Sequence, residues 1–314
     1  MIDVVVVGSV NMDLVAEVSR LPSPGETILG TSSLTGPGGK GGNQAVAAQR
    51  VGAQTALFAA VGDDIFGNGV RGSIAAEGVN VDGVSSVAGA ATGMALIVVA
   101  ADGENTIVVT PGANALLDPT SVKRLSDLEL APGAVALVQL EVPLTTCLIA
   151  AHTACGAGVR VVLNCAPTPA TQTPELFDLL AVTDVLVVNQ GEAQSLDRGV
   201  RPTNIQEWQA LAQRLRRLGP TSCIITLGVD GAVVADGDET YHQPGFSVGT
   251  VDTTGAGDSF CAALSTALAH EHSLADAVRR GCAAGALATT RLGAQSALPT
   301  HAALEQLLTS GPVR

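Results

Sequence analysis

Two glycine-rich stretches hold the residue types from which an anion-handling site can be built. The first, Gly36-Pro37-Gly38-Gly39-Lys40-Gly41-Gly42-Asn43, runs into a helical pattern from Gln44 to Val51. Lys40 and Asn43 therefore stand at a helix start, where free backbone N–H groups and a cation can meet ligand oxygens. The second, Asp252-Thr253-Thr254-Gly255-Ala256-Gly257-Asp258, leads into an alanine-rich helix from Ser259 to Ala269. Small residues let a backbone approach a ligand closely, and the first amides of such a helix point outward as a phosphate cradle. Asp258 falls in the first turn, where the helix dipole favours the ionised carboxylate by about 0.3–1 kcal/mol. Helix-end stabilisation explains the aspartate and a plain turn explains the first glycines. Neither explains the small residues before Asp258, or Lys40 and Asn43 beside the glycines.

Two familiar phosphate motifs fit poorly. Gly36, Gly38 and Gly41 satisfy Gly-x-Gly-x-x-Gly, with Asp63 and Asp64 downstream, which keeps a dinucleotide-dependent oxidoreductase as an alternative. The strand that should directly precede that fingerprint is missing from the pattern, because Thr31-Ser32-Ser33-Leu34-Thr35 is polar. A Walker A loop fails as well: Leu34 occupies its first glycine position and Gly41 replaces the Ser/Thr that would hold magnesium.

The elements that must position these residues read as a layered α/β/α sheet. Apolar runs at Val4–Val7, Ala56–Val61, Ala134–Leu140, Val159–Leu163, Val185–Val188 and Cys223–Leu227 alternate with helical patterns. Near-continuous apolar strands of this kind suit a mostly parallel sheet covered on both faces. The clearest helix is Ile205–Leu218, with Thr203 and Gln206 in capping-box spacing. Two segments, Leu14–Thr35 and Met94–Thr110, hold strand patterns at Thr27–Leu29, Ala95–Val99 and Thr106–Val109 but no following helix. They are expected to form a small β-sheet lid inserted twice into a single domain spanning residues 1–314.

Composition narrows the partners. With 314 residues, 16 basic against 29 acidic and a net charge of −13, the chain lacks the clustered cations of a nucleic-acid binder. Lys40 and Lys123 are its lysines. No apolar run approaches the roughly 20 residues of a membrane span, and Met1-Ile2-Asp3 carries an acid where a signal peptide would be basic. A cytoplasmic chain is expected. The six cysteines share no Cys-x-x-Cys spacing and read as reduced, mostly buried thiols. His270 and His272 lack further ligands at a familiar spacing and read as a solvated helix end.

Taken in order, Gly8-Ser9-Val10-Asn11-Met12-Asp13, Gly38 to Ala45, Gln139-Leu140-Glu141-Val142-Pro143, Asn164-Cys165-Ala166-Pro167, Asn189-Gln190-Gly191-Glu192, Thr226 to Gly231 and Asp252 to Asp258 resemble the ribokinase family of sugar and nucleoside kinases over essentially the whole chain. The resemblance implies ATP-dependent phosphorylation of D-ribose at its 5-hydroxyl. It implies that Asn11, Met12, Asp13, Gly39, Lys40, Gly41, Gly42, Asn43 and Glu141 bind the sugar. Asp258 would be the general base, with the Gly255, Ala256 and Gly257 amides at the transferring phosphoryl group. Asn189, Thr226, Leu227, Gly228, Val229, Asp230, Gly231, Gly257 and Cys282 would meet the nucleotide, and Glu192 would hold magnesium through water. An activating potassium ion would take ligands from Asp252, Thr254, Ala288, Arg291 and Gly293. The chain departs from the family pattern at Ala297, where a ligating serine is usual, with Ser296 one place early; a weakened potassium site is expected. The resemblance also implies a homodimer formed through the lid. A kinase of another small sugar or nucleoside, such as fructose, deoxyribose or adenosine, stays open, as does a catalytically silent sugar-binding protein on the same fold. With 1 Trp, 1 Tyr and 5 Phe, the chain has little aromatic surface on which to stack a nucleoside acceptor.

Overall fold

In the computed structural model, which describes residues 1–199 and 201–310, apolar strands and helices alternate as the periodicity requires. The strands are β1 (Ile2–Val7), β2 (Asn11–Val18), β3 (Ser32–Gly38), β4 (Thr55–Gly62), β5 (Asn80–Val87), β6 (Gly93–Ala100), β7 (Asn105–Thr110), β8 (Leu130–Gln139), β9 (Arg160–Asn164), β10 (Val185–Asn189), β11 (Ser222–Thr226), β12 (Ala232–Asp236) and β13 (Glu239–Gln243). The helices are α1 (Lys40–Arg50), α2 (Ile65–Ala76), α3 (Leu144–Gly156), α4 (Pro174–Ala181), α5 (Gln190–Asp197), α6 (Ile205–Arg216), α7 (Ala256–Ala269), α8 (Leu274–Ala288) and α9 (His301–Ser310).

Nine strands form one sheet in the order β13-β12-β11-β10-β9-β8-β1-β4-β5, parallel except where β12 and β13 turn back. Successive residues of a strand face opposite layers. In β1, Val4 and Val6 belong to the buried layer on the α1, α7 and α8 side of the sheet, whereas Val5 and Val7 belong to the layer on the α3, α4 and α6 side. All four are fully buried, each worth about 1.5–3 kcal/mol of transfer free energy. β1 lies between β4 and β8, where the chain changes its direction of travel across the sheet. The crevice beyond the carboxyl ends of strands at such a point is where open α/β sheets bind ligands.

β2, β3, β6 and β7 form a separate four-stranded sheet in the order β3-β2-β6-β7. This sheet reaches further than the sequence pattern indicates, from Asn11 at one end of β2 to Gly38 at the end of β3. Thr27–Leu29 is not a strand; Leu29 lies exposed in irregular chain, and the partner of β2 is Ser32–Gly38. That polar segment is an edge strand held by backbone pairing. With little buried surface it has no hydrophobic period to show. The strand missing from the dinucleotide pattern therefore exists, but it belongs to the small antiparallel-edged sheet rather than to a parallel βαβ unit.

Helix caps also differ from expectation. α6 is capped by Asn204, whose Oδ1 accepts from the Glu207 N–H at 2.9 Å, rather than by Thr203 with Gln206. A reciprocal capping box occurs instead at α5: Asn189 Oδ1 accepts from the Glu192 N–H at 2.9 Å, and the Asn189 N–H donates to Glu192 Oε2 at 2.8 Å. All six cysteines are free, and Cys155 alone is exposed.

Candidate active site

The carboxyl ends of β1, β8, β9 and β10 and the start of α1 meet at one place. The glycines make that meeting possible. Gly39 has φ +83, and a Cβ on it would lie 2.7 Å from the Asn11 nitrogen. A Cβ on Gly41 would lie 2.7 Å from the Gly8 carbonyl carbon and the Ser9 oxygen, and the Gly42 N–H donates to Ser9 O at 2.9 Å. Gly41 and Gly42, expected to touch sugar, stand where α1 packs closely onto residues 8–10.

Around this junction stand Asn11, Asp13, Lys40, Asn43, Glu141 and Asp258. Glu141 Oε2 accepts from Ser9 Oγ at 2.5 Å and from the Lys40 N–H at 3.2 Å. Asn11 Oδ1 accepts from Asn114 Nδ2 at 2.8 Å, which leaves the Asn11 amide its donor side for a ligand. Asn114 is held in turn by Val10, accepting its N–H at 2.9 Å and donating to its carbonyl at 3.1 Å. Met12 alternates to the opposite face of β2 and packs against the core, so it does not join this group. Burial, together with the charges of Glu141 and Asp258, pushes the Asp13 carboxyl up to about 6.

Asp258 lies in the first turn of α7, which starts at Gly255 in a left-handed conformation, φ +76. Its Oδ2 accepts from Asn43 Nδ2 and its Oδ1 from Gln44 Nε2, both at 3.0 Å. The helix position predicts a depressed pKa; the structure reverses this. Burial raises the carboxyl above its ordinary value, against the opposing pull of Lys40, Asn43 and Gln44. Burial alone would lower Lys40, but Asp258, Glu141 and Glu192 outweigh it and keep the ammonium charged.

On the other side of the first turn of α7 lies a cavity of about 420 Å³. Thr226, Gly228, Val229, Gly231, Gly257 and Cys282, expected at the nucleotide, line it together with Ala256. Leu227 packs in the core instead, the Asp230 carbonyl is bonded to His242 Nε2 at 2.6 Å, and Asn189 is the cap of α5. The sequence reading missed a whole wall, Gly245 to Val248 with Thr250, and the floor formed by Phe260, Gly285 and Thr289. These residues follow no recognisable spacing; the chain after β13 supplies the wall, and the close approach of α7 to α8 supplies the floor.

Behind the second glycine segment, Asp252 ties two loops. Its Oδ1 accepts from the Thr254 N–H at 2.9 Å and its Oδ2 from the Gly293 N–H at 2.8 Å. These bonds outweigh burial and hold its carboxyl below the usual range. Ala288 ends α8, and the next residue, Thr289, accepts through its carbonyl from the Val251 and Asp252 N–H groups at 2.7 and 3.1 Å, which brings that helix terminus beside the loop. Arg291 is exposed, Ala297 is buried, and the Ser296 hydroxyl is used by Leu292 O at 2.8 Å. At α5, Glu192 is raised by burial, opposed by the Asn189 N–H and Lys40. One of its oxygens is engaged by the cap, leaving the other for a hydrated divalent cation.

A sheet of this topology, an anion-binding helix start and a buried carboxylate between a polar ring and a cavity describe a phosphotransferase. The chain belongs to the pfkB family of carbohydrate kinases, whose family model it matches over residues 1–301. It is 39% identical to a ribokinase of Haemophilus influenzae across 94% of this chain and 95% of that one. It is 32% identical to a deoxyribokinase of Salmonella typhi across 95% and 96%. Its fold matches that of Arabidopsis thaliana ribokinase complexed with ribose and ATP, with a TM-score of 0.87, 29% identity and 98% of each chain covered.

Proposed function

We propose that this protein transfers the terminal phosphoryl group of ATP to the 5-hydroxyl of D-ribose, giving ribose 5-phosphate and ADP. The observation that carries the reading is Asp258, which stands between the polar ring and the cavity with both oxygens held by amide donors. Asn11, Asp13, Lys40, Asn43 and Glu141 form the sugar site: carboxylates accept hydroxyl protons, and amide and ammonium groups donate to hydroxyl oxygens. A site that pairs each hydroxyl rejects sugars that would leave its polar groups bare. Asp258 accepts the 5-hydroxyl proton as the new O–P bond forms and the bond to ADP breaks. Phosphoryl transfer depends mainly on alignment and charge stabilisation, so a modest base suffices. The amides of Gly255, Ala256 and Gly257 cradle the moving group, and the nucleotide fills the cavity with Cys282 beside its base.

Glu192 would hold magnesium through water, and Asp252, Thr254, Ala288, Arg291 and Gly293 would surround a potassium ion largely with carbonyl oxygens. Magnesium held there would offset phosphate charge, and a potassium ion held there would support the loop that carries the Gly255 to Gly257 amides. The small sheet acts as a lid that excludes water from the phosphoryl group. Leu34, Leu96, Ile107, Val108 and Val109 expose apolar surface on it, which supports a homodimer through the lid. Use of ATP fits a cytoplasmic enzyme. The test is ADP release over ribose, deoxyribose, fructose and adenosine, with Asp258→Asn as control. Ribose is expected to give the highest kcat/KM, with turnover lost in the variant. Preference for deoxyribose, or near-normal turnover by Asp258→Asn, overturns the reading.

A further inference from the structure

Gln44 sits directly after Asn43 in α1, yet its side chain has no surface open to solvent and so cannot touch a substrate in this conformation. Its Nε2 donates to two acceptors, Asp258 Oδ1 at 3.0 Å and Asn164 Oδ1 at 3.1 Å. Asn164 ends β9, and its own Nδ2 donates to Val187 O on β10 at 3.4 Å. A hydrogen-bonded chain therefore runs from the parallel sheet through Gln44 to the carboxylate. Asp258 belongs to α7, but its carboxylate is held by α1 and the sheet.

The carboxamide oxygen of Gln44, Oε1, is buried with no partner among the described residues. A buried acceptor left unpaired costs stability, and an apolar side chain of similar shape would avoid that cost. The donor half of the Gln44 carboxamide is spent on the reacting carboxylate and its anchor while its acceptor half goes unpaired, a division better explained by holding Asp258 than by filling the core.

Building on the kinase reading above, we propose that Gln44 is a positioning residue for phosphoryl transfer: anchored on Asn164, its carboxamide fixes one oxygen of Asp258 so that the remaining lone pairs of the carboxylate face the acceptor hydroxyl. Holding the reacting oxygen in register matters because a misplacement of about 1 Å can cost roughly 100-fold in rate. The bond also favours the ionised carboxylate. Asp258 faces Lys40 of α1, Glu141 beyond β8, Asp13 of β2, Glu192 of α5 and Cys261 of α7; among these Lys40 is the cation. With few charges favouring ionisation, loss of one amide donor should be felt in the titration.

The experiment compares wild type with Gln44→Met, Gln44→Glu, Asn164→Ser and Asp258→Asn in kcat, in KM for ribose and ATP, in the acid limb of kcat/KM against pH, and in thermal midpoint. Gln44→Met is expected to lower kcat roughly 10- to 100-fold, with both KM values within about threefold. Its acid limb should move up by about one pH unit, and its thermal midpoint separately reads the stability cost of leaving Asp258 and Asn164 without this donor. Asn164→Ser should shift the acid limb in the same direction by less, because Gln44 remains but loses its anchor. If Gln44→Met does not fold, the near-isosteric Gln44→Glu and Asn164→Ser carry the same comparison. A wild-type kcat and acid limb in the folded variants overturns the inference. If Asp258→Asn also retains turnover, the kinase reading itself fails; if Asp258→Asn is inactive, only the role of Gln44 is lost.

Discussion

A single methyl group at Gly38 should cripple sugar use and leave nucleotide use intact. A Cβ built on Gly38 would lie 2.2 Å from both carboxylate oxygens of Asp13 and 2.3 Å from its Cγ. Those distances are far inside contact, and the aspartate stem is too short to bend around them. Its carboxylate must swing out of the site. Gly38 has no positive φ, so alanine is tolerated by the backbone and the cost falls on Asp13. Gly36 provides a matched control on the same strand, since a Cβ there meets nothing within 4 Å. Losing a hydrogen bond between a carboxylate and a sugar hydroxyl costs about 1.5–3 kcal/mol, or roughly 10- to 150-fold in kcat/KM for ribose. KM for ATP should stay within about twofold, because the cavity lies beyond α7. Coupled ADP-release kinetics on Gly38→Ala and Gly36→Ala, with circular dichroism to establish folding, make the test. A folded Gly38→Ala with kcat/KM for ribose within about threefold of Gly36→Ala would refute the assignment of Asp13.

Two further outcomes follow from the electrostatics. Asp13 titrates near 6, so as pH falls from 7 to 5 its carboxyl becomes protonated and stops accepting from the sugar; KM for ribose should rise over that window, and Asp13→Asn should flatten the rise. Because its folded pKa lies above its unfolded one, its contribution to stability is greatest below about 4 and is lost as pH rises through 6. Asp13→Asn should therefore melt higher than wild type at pH 7 in the absence of ligand. Potassium added to sodium-free, potassium-free buffer should raise turnover with a shallow dependence, and Ala297→Ser should lower the half-saturating concentration; equal activity with and without potassium rejects the cation site.

Some of the molecule was legible from local pattern. The apolar runs of β1, β4, β8, β9, β10 and β11 marked the parallel sheet because each strand is buried on both faces. The helix after Gly255 and the position of Asp258 in its first turn follow from residue order alone. The strand Ser32–Gly38 was illegible because its polar residues are exposed and its pairing is a backbone matter. Gln44 and Asn114 looked like ordinary helix and loop residues, since what they do depends on partners 214 and 103 positions away.

The sequence by itself determined the chemical inventory: a buried-sheet α/β chain, two helix starts able to hold anions, an aspartate at one of them, and a low density of cations. Tertiary structure decided how those parts behave. It joined α1 to α7 so that Asn43 and Gln44 clamp Asp258, and it raised a carboxyl that its helix position alone would lower. The reason is physical: dipole and capping effects reach one helical turn, whereas desolvation and long-range hydrogen bonds depend on which elements the chain brings together.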